Sequence, residues 1–327
     1  MLPRLAIFVS RSSAPRQWDL ATFADVSKVS GFAGLELSLA DLDINEDDDV
    51  MMKQKASADA INSQGLQLIV NISSVPSITS TTPSSPLDHV RTFESQLNLV
   101  SDLGDVVSHV NCTESGDNRW SVATSAEYLG EVLPLSAQFL EDHPHIGRYG
   151  RETDIMGGSP HHLTGISHET NAVGMLHHPD VVRDLMEILP PMRIASDIQC
   201  WHDVCGYQWG FHGDDAKCPD NNGVGCDELE ALRTDIVPHV DHLRARMIGK
   251  TLAPEAIAPH EELWRFIWSR KAMRDVDQVT ITPDLPVGDA GGGVVGENNL
   301  RWERTKEAAD CIRRTYDDWS ASCGIAK

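Results

Sequence analysis

The side chains most able to do chemistry fall near the ends of short apolar runs: Glu36, then His109 and Asn111, His168 and Glu169, Asp197, and Asp284. A further run carries His242, Arg244 and Arg246 at alternate positions, so all three share one face of a strand. Like charges gathered at one mouth repel and raise one another's pKa unless a cation lies among them. Carboxylate ligands suit Mg, Mn or Ca, and an added imidazole widens the choice to Zn, Co or Fe. A single strand-end acid is usually a helix cap or a salt-bridge partner. Three of them, Glu169, Asp197 and Asp284, point to a divalent site. Trp201 follows one of these run ends and is a candidate substrate wall, whereas Trp264 and Trp268, four apart on a helical stretch, read as core.

The elements that must position these residues alternate. Strand-like runs are expected at Leu5–Ser10, Gly34–Leu39, Leu66–Ile72, Val107–Thr113, Leu163–Glu169, Met192–Ile198, Asp241–Ile248 and Gln278–Asp284. They are short and apolar on both faces or in alternation, as strands covered by helices are. Helical patterns are expected at Trp18–Val29, Val50–Gln64, Pro86–Gly104, Ser125–His143, Pro179–Leu189, Asp227–Val237, Pro259–Arg274 and Glu297–Trp319. Gly65 suits the end of the second helix and Pro179 the first turn of the fifth. Strands and helices in alternation predict an α/β fold, a (β/α)8 TIM barrel, as one domain over residues 1–327 with extended loops on its C-terminal face. No G-x-G-x-x-G turn follows the first strand, which argues against a dinucleotide-binding sheet. Polar segments at Ser73–Pro86 and Gly288–Glu297 follow the third and eighth strands, on the face where barrel enzymes build their sites.

Composition narrows the function. The net charge of -22 repels phosphate backbones, so nucleic acid is not an expected partner. No apolar run is long enough for a membrane span, and the apolar stretch near the N-terminus is too short for a signal-peptide core. A reducing cytoplasmic setting with free thiols is therefore expected. Cys200, Cys205, Cys218 and Cys226, with His202 and His212 among them, lack the tight pairs of a zinc knuckle; free cysteines in a long loop are expected, with a structural zinc or a Cys218–Cys226 disulfide as the alternatives.

At these residues the chain resembles the xylose isomerase-like barrel superfamily of sugar phosphate isomerases and epimerases. GFAGLELSL resembles that family's second strand, and HVNCTESGDNRWS its fourth-strand segment. ISHETNAVGMLHHPDVVRDLMEILPPMRIASDIQCW resembles its H-E-T-H to D-x-S-H-W segment, VDHLRARMIG its H-x-H-A-R-V-G, and TITPD its T-P-E. The resemblance implies one divalent metal (Mn, Mg, Co or Zn), held by a Glu, an Asp, a His and a Glu from strands five to eight. The two Glu residues flank the substrate carbon for proton transfer or hydride shift. A sugar or polyol substrate is implied, and often a homo-oligomer. Carried over, Glu169 and Asp197 match; Asp284 replaces the last Glu; Arg246 matches the family's Arg. Arg244 stands where the family's ligand His is expected, with His242 on the same face as a substitute. Cys200 and Asn171 replace two further His residues. The expected site is thus Glu169 and Asp284 as acid and base. Glu169, Asp197, Asp284 and His242 are expected on the metal, with His109, Trp201, Arg244 and Arg246 on the substrate. The alternative is an altered barrel in which Arg244, a permanent cation, replaces the metal's charge and the mouth binds a small polar ligand.

Overall fold

Each apolar run pairs in parallel with the next. In the computed structural model the eight strands close into a barrel in chain order, β1 to β8. Residues 2–42, 50–76, 85–114, 120–148, 164–170, 175–196, 235–246, 254–274, 276–284 and 295–323 are described. The strands are β1 Arg4–Ser10, β2 Gly34–Ser38, β3 Gln67–Ser73, β4 Val107–Thr113, β5 Ile166–Glu169, β6 Ile194–Ser196, β7 Val240–Arg246 and β8 Gln278–Asp284. The helices are α1 Leu20–Val29, α2 Val50–Ser63, α3 Pro86–Ser101, α4 Val122–Asp142, α5 Pro179–Ile188, α6 Pro254–Met273 and α7 Val295–Ser322. This is the (β/α)8 architecture that the alternation predicts. The helix expected at Asp227–Val237 lies outside the described residues up to 234; of its last three residues, which are described, Val237 opens a short 3-10 turn, Val237–His239.

Helix starts differ from the sequence reading where a cap decides them. Helix α1 begins at Leu20 because the Asp19 carboxylate accepts from the Thr22 amide at 2.7 Å. Helix α4 begins at Val122 because Ser121 takes the same role for Thr124. Ser85, Pro86 and Asp88 build a capping box with proline in the first turn of α3. Gly65, at φ 62°, ends α2 in the left-handed conformation expected of it.

Strand period two divides the core. One parity faces the helices, where Ile7, Val9, Leu35, Leu37, Leu68, Val70, Val110 and Ile281 join the main apolar cluster. The other parity faces into the barrel, where Ala6, Phe8 and Ile69 form a small separate apolar cluster. Gly34 makes room for it: a Cβ there would lie 2.4 Å from the Phe8 ring and from the Gln67 carbonyl oxygen. The rest of the barrel lining is largely polar, and it forms the site. Trp264 and Trp268 are buried core residues, as their spacing predicts; Trp268 packs on Tyr316 and Trp319 of α7.

Candidate functional site

Inward-facing residues of strands that are not neighbours meet across the barrel at its C-terminal end. Arg244 of β7 donates from one guanidinium nitrogen to Glu36 Oε1 of β2 and from the other to Glu169 Oε1 of β5. The register sets this up, because Arg244 and His242 have the same parity and pair with Thr282 and Thr280 of β8. Asn71 of β3 donates to Glu36 Oε1 at 2.9 Å, and Asn111 of β4 donates to the side-chain oxygen Oδ1 of Asn71 at 3.1 Å. Thr113 donates to the other oxygen of Glu169. Below Arg244, His242 meets the Thr280 hydroxyl through Nδ1 at 2.9 Å and the Thr282 hydroxyl through Nε2 at 3.2 Å. Its Nε2 also lies 3.6 Å from Glu36 Oε2.

The electrostatics follow from this packing. Burial pushes the Glu36 carboxyl up, but Arg244, His242 and Thr282 outweigh it and hold it well below the ordinary carboxylate value. Burial works against the Arg244 charge, yet Glu36, Glu169 and Asp284 together raise its pKa further. Arg244 is therefore a fixed cation clasped by carboxylates. Deeper in the barrel, burial pushes His109 down to about 4, so it is neutral at pH 7.

The sequence-predicted residues separate into groups. Glu169 and Arg244 are brought into direct contact, with Asp284 close enough to act on Arg244. His109 is buried one level down, its Nε2 2.8 Å from the Ser167 hydroxyl, beside Asp241 and Thr280. His242 is fully buried and engaged by its two threonines. Arg246 is described in its backbone, opposite Asp284. Asp197, Trp201, Asn171, His202 and the four clustered cysteines lie outside the described residues. His168 faces away from the mouth, into the barrel wall. Glu36 is among the strand acids that the sequence brings forward, there without a role on metal or substrate; Asn71 and Thr113 are site residues that the sequence does not bring forward. The signal for Glu36 was an acid in the middle of a strand otherwise buried on both faces.

As they stand, these residues do not fit a divalent ion at Glu169. A permanent guanidinium charge already occupies the space between the two carboxylates. Nor do Glu169, Asp284 and His242 each bring a ligand atom within 4.8 Å of the others; among the described residues only Cys112, Glu114 and His168 meet that criterion.

The chain has the fold of the xylose isomerase-like TIM barrels. A D-psicose 3-epimerase from Clostridium cellulolyticum H10, solved with D-tagatose, superposes with a TM-score of 0.58 at 12% identity, over 95% of this chain and 99% of that one. A probable 3-DHS dehydratase from Bacillus anthracis gives 0.54 at 11%, over 93% and 98%. A xylose isomerase domain containing protein from Salmonella typhimurium LT2 gives 0.54 at 11%, over 94% and 98%. At such identities the likeness is one of fold. No protein-family model matches the chain, and no curated protein matches it in sequence. No described helix is long and apolar enough to cross a membrane.

Proposed function

We propose that the barrel mouth holds a small neutral sugar or polyol, with Arg244 as the built-in cation between Glu36 and Glu169. The observation that carries this reading is the double ion pair of Arg244, which spends its donors on two carboxylates of the protein itself. Three carboxylates (Glu36, Glu169 and Asp284) surround this one guanidinium, so an anionic ligand is disfavoured there. A polyol suits the same atoms. Its hydroxyls can donate to the carboxylates and accept from the half-buried amide of Asn71. Trp201 and Arg246 are proposed as further contacts, from their positions after β6 and at the end of β7. The fold shared with a D-psicose 3-epimerase solved with D-tagatose supports the sugar class.

The second reading is a divalent-metal-dependent sugar isomerase or epimerase. Glu169 and Asp284, both at C-terminal strand ends beside Arg244, favour it. They would exchange the proton next to a carbonyl, within reach of the substrate carbon. An ion (Mn, Mg, Co or Zn) on Glu169, Asp197, Asp284 and His242 would polarise that carbonyl. This reading requires Arg244 to leave Glu169.

Calorimetric titration with D-psicose, D-tagatose, a polyol and a sugar acid, each with and without chelator, separates the two. The proposal expects a neutral sugar to bind equally well in chelator, to bind at least about tenfold more weakly to Glu169→Gln, and to outcompete the sugar acid. Binding lost in chelator and restored by Mn would support the second reading. Preference for the sugar acid would overturn the first.

A further inference from the structure

The barrel wall between β4, β5 and the helices α3 and α4 contains a second group of ligand-type side chains, on the opposite face of the strands from the mouth. Strand period two produces it. Asn111 and Thr113 point into the barrel, so Cys112 and Glu114, two apart, point outward together. On β5, Ser167 and Glu169 point inward, so His168 points outward, and its backbone pairs in register with Cys112. Sequence neighbours of the mouth residues thus converge behind the wall.

All three side chains are at least nine-tenths buried: Cys112 at 0%, Glu114 at 1% and His168 at 1% exposure. One ligand atom from each lies within 4.8 Å of the others. His168 Nδ1 is 2.5 Å from Glu114 Oε1, and its ring stacks on Phe93 of α3. The Tyr128 hydroxyl of α4 lies 3.9 Å from Cys112 Sγ. The second carboxylate oxygen of Glu114, Oε2, is buried and makes no hydrogen bond of normal geometry; the Cys112 thiol, His89 and Tyr128 lie around the carboxylate. A buried carboxylate oxygen left so is costly unless something satisfies it. A divalent cation does so.

We propose that Cys112, Glu114 and His168 bind a zinc-like divalent ion in the barrel wall, independently of the mouth. The set of one sulfur, one nitrogen and one carboxylate suits Zn or Co and is too soft for Mg or Ca. An ion there ties β4 to β5 from behind the wall, on the face of the strands opposite Thr113 and Glu169.

The test is titration of the chelator-treated full chain with Co2+. The expected result is a near-ultraviolet thiolate-to-cobalt charge-transfer band that saturates at one ion per chain and is bleached by Zn2+. The band should be lost in Cys112→Ser. Binding should weaken in Glu114→Gln by at least the roughly tenfold that losing an outer-shell partner costs. It should survive in Glu169→Gln, so its outcome is separate from that of the mouth reading. Circular dichroism checks that each variant is folded. If Cys112→Ser fails to fold, zinc X-ray absorption on the wild-type chain decides: one sulfur among lighter ligands supports the site. A shell with several sulfurs, a band that survives Cys112→Ser, or no cobalt band in the folded wild type overturns it.

Discussion

Replacing Arg244 with Met tests the clasp at the mouth and has a magnitude that follows from burial. The Glu36 side chain is 1% exposed and that of Glu169 is 9%; both share the one guanidinium. Removing one partner of a buried ion pair costs about 3–5 kcal/mol, because the remaining charge is left without its counterion. Glu169 keeps Thr113 and lies nearer the solvent, so most of the cost falls on Glu36. That loss is a large share of the ~5–15 kcal/mol that stabilises a typical domain. It corresponds to a urea-midpoint shift on the order of 1 M or more. Its pH dependence is distinctive. In the wild type the folded pKa of Glu36 lies below its unfolded value, so its contribution is complete above the ordinary carboxylate range and is lost as pH falls through the folded value. Burial is the largest influence on Glu36 and Arg244 the largest that opposes it, so removing Arg244 is expected to move Glu36 up, with His242 and Thr282 left to oppose burial. The variant then gains stability as pH falls through that raised value. The gap between the two proteins therefore narrows from pH 7 toward roughly 4.5. Urea unfolding followed by tryptophan fluorescence at pH 7 and pH 5 reads both effects. A deficit below about 1 kcal/mol at pH 7, or one of the same size at both pH values, would refute the reasoning.

His109 gives a second pH signature. Burial lowers its folded pKa to about 4, so between roughly pH 6.5 and 4 the unfolded chain binds a proton that the folded one does not. Stability falls on acidification by about 3 kcal/mol from this group alone, and His109→Asn should remove that part of the slope in unfolding titrations. Asp241 is buried, with a pKa that Arg193 and Lys271 hold near 2 against the effect of burial. Asp241→Asn should cost about 3–5 kcal/mol at pH 7, an effect that shrinks as pH falls from about 4 to 2. Gly34→Ala should lower stability by about 1–3 kcal/mol in a thermal melt, since the backbone oxygen of Gln67 cannot yield to a Cβ. Ser85→Ala removes the cap of α3 and should cost about 1 kcal/mol.

The barrel itself was readable in the chain because its strands are apolar runs of the right length, punctuated by caps. Asp19 and Ser121 moved the starts of α1 and α4 by a few residues, since a cap is a matter of backbone angle and side-chain reach rather than of apolar pattern. The pairing of Arg244 with Glu169 was within reach of the sequence, because both stand on the inward parity near the C-terminal ends of β7 and β5, with only β6 between them. The pairing with Glu36 was not. The two are 208 residues apart, and only closure of the barrel makes β2 face β7. His168 illustrates the opposite error. Its adjacency to Glu169 suggests one site, yet adjacent strand residues face opposite ways, and it joins Cys112 and Glu114 behind the wall. That group is unreadable from a Cys-x-Glu spacing alone, because its third member is set by the register of another strand.

The central claim is that Arg244 holds the place of a cation at the mouth. Equilibrium dialysis against Mn2+, a hard ion unsuited to the Cys112 group, tests it most directly in the wild type, Glu169→Gln, Arg244→His and the double variant. With Arg244 in that place, the wild type shows no uptake that Glu169→Gln removes. Arg244→His is expected to gain an ion and the double variant to lose it again. One Mn2+ per wild-type chain, abolished by Glu169→Gln, would contradict it.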